Sequence, residues 1–116
     1  MKKTITELTL AELNRMWELI RVVAPALAKN RPMESVTKQE LGEACAAQTW
    51  GHPDVSRSIQ KAPVRLWGII LSLQSSCVRN GVMLGDVVTR IRCFDDGSIV
   101  ATMHEPGANA LKDMPL

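Results

Sequence analysis

A chain of 116 residues, 46% apolar and 22% charged, is long enough to bury one core without metal or disulfide staples and too apolar to be a disordered segment. Its net charge of +2 allows an anionic partner but excludes the strongly basic balance of a chain devoted to nonspecific nucleic-acid binding. One Phe, three Trp and no Tyr speak against the multi-ring platforms on which single strands stack.

The first helix signal is Thr9-Leu-Ala-Glu12, a capping box in which the Thr hydroxyl takes the amide three residues on and the Glu reaches back. Leu13, Trp17, Ile20, Ala24 and Leu27 follow at three- and four-residue spacing, the stripe of an amphipathic helix, with Pro25 kinking or restarting it. Thr37-Lys-Gln-Glu40 is a second capping box. It opens a helix from Lys38 to about Ala47 with Leu41, Ala44 and Cys45 on its buried edge. Trp50-Gly-His-Pro53 reads as a turn in which Trp50 anchors the core and His52 faces solvent. Asp54 can cap a third helix, Val55 to Lys61, and Ala62-Pro63 restarts the chain into an apolar helix from Val64 to Asn80, closed by Gly81. That last helix is apolar on more than one face, as suits the centre of a core or a subunit interface. Asp86–Phe94 and Ser98–His104 then flank Asp95-Asp96-Gly97, a strong hairpin signal because Gly supplies the positive φ of the tight turn. Glu105–Leu116 has no period. These elements predict a mainly α, α+β protein of about four helices with a helix-turn-helix-like middle, followed by a C-terminal β-hairpin. Residues 1–105 form the single domain and 106–116 a flexible tail.

The chemistry concentrates in Val36–Lys61. Two short helices joined by a turn, the second carrying cations among small polar residues, are the local pattern of a helix-turn-helix. Asp54-Val-Ser-Arg-Ser-Ile-Gln-Lys61 resembles the recognition helices of winged-helix and helix-turn-helix regulators. The resemblance implies a DNA-binding, transcription-regulating protein with double-stranded DNA as partner. Its turn is longer than the tight version, and a further helix stands between it and the hairpin. Arg57 and Lys61 share a helix face, and Arg65 would extend the row if the helix ran through Pro63. Such a row suits phosphates. Ser56, Ser58 and Gln60 are placed for base edges or phosphates, Lys38 joins the basic set, and Arg90 and Arg92 on the hairpin would reach the backbone. Between Lys29 and Arg65, six Lys/Arg stand against four Asp/Glu, a modest excess.

The competing reading is a small interaction module, an inhibitor or adaptor, that covers a protein partner with the apolar helix. A lone two-stranded hairpin needs a helix or a second chain beside it, so a homodimer is expected under either reading. No enzyme is expected. His52 and His104 show no nucleophile–base signature with any cysteine, Asp95-Asp96 serves a turn, and no phosphate loop appears. No catalytic residue, metal site or cofactor follows, since Cys45, His52, Cys93 and His104 lack ligand spacing. Three unpaired cysteines, Cys45, Cys77 and Cys93, suggest reduced thiols and a cytoplasmic protein. Glu7 and Glu12 interrupt any signal-peptide core, and Val64–Val78 is too short and polar to span a bilayer, so no membrane contact is expected.

Overall fold

The chain begins with a strand. In the computed structural model, which describes residues 1–105 and 110–116, β1 (Thr4–Thr9) alternates, with Thr6 and Leu8 buried and Ile5, Glu7 and Thr9 exposed. Thr9 ends it and caps α1 (Leu10–Leu27): its hydroxyl accepts from the Glu12 amide at 3.3 Å, and Glu12 accepts from the Thr9 amide at 3.0 Å. Both halves of the box are present. Pro25 lies inside the last turn of α1 without breaking it, and Leu13, Met16, Ile20 and Val23 form the buried stripe.

A single 3₁₀ turn, Met33–Ser35, leads to α2 (Lys38–Thr49). Thr37 caps α2, but only half of the expected box forms: Glu40 turns its carboxylate to Arg31 instead of to the Thr37 amide. The third helix is shorter than expected. α3 is the single turn Arg57–Gln60, and its cap is Ser56, whose hydroxyl accepts from the Ile59 amide at 3.2 Å; Asp54 does not cap it. Pro63, at φ −65° and ψ 151°, then separates α3 from α4 (Val64–Arg79). Leu66, Trp67 and Ile70 are fully buried, which makes α4 the central helix of the core. α2 crosses it closely at Gly42, where a Cβ would stand 2.6 Å from the Val64 carbonyl oxygen, so this position has no room for a side chain.

After a 3₁₀ turn at Leu84–Asp86 come β2 (Val88–Phe94), β3 (Ile99–His104) and β4 (Leu111–Pro115). The sheet is antiparallel in the order β1-β2-β3-β4, with Leu8 opposite Ile91, Ile91 opposite Ala101, and Ala101 opposite Met114. This corrects the expected architecture. The hairpin β2–β3 forms around Gly97 at φ 87°, but it is the middle of a four-stranded sheet whose strands both precede and follow the helices. Half of the described residues are helical and about a fifth are strand, so the departure from expectation lies in the added strands and not in the helices.

Two local details follow from the pairing. A bulge between Val88 and Arg90 turns Val88 inward, whereas strict alternation would have set it on the face of Arg90 and Arg92. The final segment, expected as a loose tail, supplies β4; residues 106–109 of that segment lie outside the described residues. The Leu116 amide bonds the Ile99 carbonyl at 2.9 Å, so the neighbouring Pro115 has its nitrogen on the free edge. There its missing N–H costs no ladder bond and blunts the edge. The helices pack on the inner face of the sheet, against Leu8, Ile91, Cys93, Ile99 and Ala101. Among the described residues, no helix is long and apolar enough to cross a membrane.

Candidate nucleic-acid interface

α3 is too short to hold itself in place, since one hydrogen-bonded turn does not repay the order it imposes. Three contacts hold it. Val55 and Ile59 are buried in the core. The Ser56 hydroxyl donates to Glu12 Oε2 at 2.6 Å, tying α3 to the start of α1, and the Thr6 hydroxyl donates to the Ser58 carbonyl at 2.9 Å, tying it to β1. Burial opposes ionisation of Glu12, but its hydrogen bonds from Ser56 and from the Thr9 amide and hydroxyl outweigh that cost and hold the carboxyl below its ordinary value.

The loop before α3 is fixed in the same way. Thr49, at the end of α2, is buried with its hydroxyl on the Ala46 carbonyl at 2.7 Å. Gly51 then reverses the chain at φ 67°, a conformation that costs a side-chain-bearing residue about 1 kcal/mol or more. The Gln60 amide closes the loop by donating to the His52 and Val55 carbonyls, each at 3.2 Å. His52 faces solvent. Trp50 does too: it is 87% exposed, against the expectation that it would anchor the core. Trp67 of α4 fills the interior instead, fully buried with its indole N–H unpartnered among the described residues.

The nine basic and polar residues expected to meet DNA separate into two groups. Arg57 and Lys61 remain exposed with no hydrogen-bond or ionic partner among the described residues, and Lys61, in helical geometry at the end of α3, shares a face with Arg57. The others are occupied. Lys38 donates to Ser72 at 2.9 Å, and Arg65, set on α4 by the break at Pro63, donates to the Gly97 carbonyl at 3.0 Å. Arg90 pairs with Glu7 at 3.0 Å and Arg92 with Asp113 at 2.7 Å, both on the outer face of the sheet. Ser56 and Gln60 are spent on the cap and the loop, and Ser58 is half-buried against β1.

Arg57 and Lys61 stand as a ridge between two depressions. One, of about 520 Å³, is walled by Trp50, His52, Pro53 and Gln60; the other, of about 340 Å³, runs along Thr4, Ile5 and Glu7 of β1. A separate apolar groove of about 400 Å³ lies beside α4, floored by Ile69, Leu73 and Leu116 with Lys38 and Arg65 at its rim. The cysteines have a packing role: burial pushes the Cys45 and Cys93 thiols up to about 11, and that of Cys77 upward as well, so all three stay protonated at neutral pH. Among the described residues, no group of three or more His, Cys, Asp or Glu is gathered to hold a metal ion. No family model matches the chain, and comparison with curated proteins and with solved structures gave no match.

Proposed function

We propose that this protein binds DNA through the ridge of Arg57 and Lys61, as a DNA-binding regulatory factor whose contact surface is the α2–α3 loop together with α3. The observation that carries this reading is that, among the described residues, Arg57 and Lys61 alone of the six Lys and Arg in the expected set are unspent on internal partners while sharing one exposed face. Side chains that are exposed, unpaired and mounted on a pinned turn suit phosphate oxygens, and the contact is sequence-independent. Base-edge reading by Ser56, Ser58 and Gln60 drops out of the proposal because Ser56 and Gln60 are engaged within the protein and Ser58 is half-buried against β1. Fluorescence anisotropy of labelled DNA tests it: Arg57→Ala with Lys61→Ala should leave the fold intact and weaken binding, and equal binding by both proteins would end the assignment.

The groove beside α4 favours a second reading that is compatible with the first. Ile69, Leu73 and Leu116 leave apolar surface open to water, and a second copy of the chain seated there would bury it. Equilibrium sedimentation reads this directly as a dimer mass.

A further inference from the structure

We infer that Trp50 is a stacking platform for an unpaired base, and that the site takes single-stranded nucleic acid in preference to closed duplex. The inference rests on the phosphate-binding role of Arg57 and Lys61 and adds the chemical class of the ligand.

Leaving an indole 87% exposed forgoes one of the largest apolar burials available to a side chain. The backbone that carries Trp50 is pinned on both sides. Thr49 before it and Val55 after it are buried, Gly51 turns the chain away at φ 67°, and Gln60 staples the loop at two carbonyls. The exposed ring lines a depression of about 520 Å³ that it shares with Arg57 and Lys61. That volume falls within the range of small-ligand sites, and among the described residues no carboxylate lines it. A flat apolar face next to two unpaired cations complements a planar ring carried on an anionic backbone.

Duplex fits the same surface poorly. α3 is one turn, about 6 Å long, too short to present residues along a major groove, and the neutral polar side chains of Ser56 and Gln60 are engaged within the protein. An indole meets a base face in a duplex only after a step is unstacked, which costs a few kcal/mol. In a single strand the π-faces are open, and one exposed ring suffices for one base. The aromatic-poor composition therefore limits the number of bases held and leaves this mode open.

The experiment compares a fluorescein-labelled oligothymidylate of about 15 nucleotides with its duplex on oligoadenylate, by anisotropy, for the wild type, Trp50→Ala, Trp50→Phe and the Arg57→Ala/Lys61→Ala protein. The single strand should bind more tightly than the duplex and quench tryptophan emission. Trp50→Ala should lose about ten- to a hundredfold in affinity for the single strand, with little change for the duplex, and Trp50→Phe should recover part of the loss. Circular dichroism checks that each variant is folded, which an exposed loop residue predicts. Equal affinity for both forms, or Trp50→Ala binding like the wild type while the double variant is weakened, overturns the stacking role and leaves the phosphate ridge standing. No binding of either form by the wild type overturns both.

Discussion

Replacing Glu12 should loosen a part of the molecule the residue itself does not belong to. One carboxylate serves two elements: Oε1 takes the Thr9 amide at 3.0 Å at the start of α1, and Oε2 takes the Ser56 hydroxyl at 2.6 Å at the cap of α3. Glu12→Ala removes half of a capping box, worth about 1 kcal/mol, and a charge-assisted hydrogen bond worth about 1 kcal/mol at a partly exposed site. The expected loss is about 2 kcal/mol, or roughly 8 °C in Tm for a domain of this size. A double-mutant cycle of Glu12→Ala with Ser56→Ala isolates the second contact, and its coupling energy should be about 1 kcal/mol.

The same carboxylate has a pH signature. Its folded pKa is below the ordinary value of 4.5, so ionised Glu12 contributes stability above about pH 4.5, and that contribution is lost as pH falls through the folded value. Glu12→Gln should therefore be less stable at neutral pH and show a shallower loss on acidification, the two proteins converging at low pH. Thermal denaturation followed by circular dichroism between about pH 3 and 7 measures both effects. A zero coupling energy, together with parallel pH profiles, would refute the proposed link between α1 and α3.

Two further expectations come from packing. Gly42→Ala should destabilise by about 1–2 kcal/mol in denaturant titration, because overpacking against the Val64 carbonyl, 2.6 Å from the new Cβ, exceeds the helix preference of Ala over Gly; an unchanged midpoint would mean that α2 and α4 do not cross as described. Leu73→Arg should convert the dimer expected from the α4 groove into monomer in equilibrium sedimentation, and a mass that does not change would move the contact elsewhere or remove it.

Local signals located most of the helical framework. Thr9 and Thr37 mark the starts of α1 and α2, Pro63 the start of α4, Gly81 its end, and Asp95-Asp96-Gly97 the hairpin, because each acts through a side chain or dihedral of its own residue. β1 was less legible: only Thr6 and Leu8 point inward, and one of them is polar, so alternation had almost nothing to show. All five residues of β4 are exposed and the last is a proline, so it becomes a strand only by pairing with β3. Within the candidate site, the cations could be read from the sequence but their availability could not. Glu7 and Asp113, on strands the sequence hid, are what occupy Arg90 and Arg92. A tryptophan next to a turn is ordinarily drawn into the core, but here Trp67 fills the interior and Trp50 stays at the surface.

The salt dependence of DNA binding by the wild type and by Arg57→Ala/Lys61→Ala tests the phosphate ridge most directly. Two phosphate contacts should steepen the wild-type plot of log affinity against log salt by about 1.8 on duplex and about 1.4 on a single strand relative to the double variant. The two curves should then approach each other as salt rises. Parallel curves of equal slope would contradict the account, for they would show that neither side chain touches a phosphate.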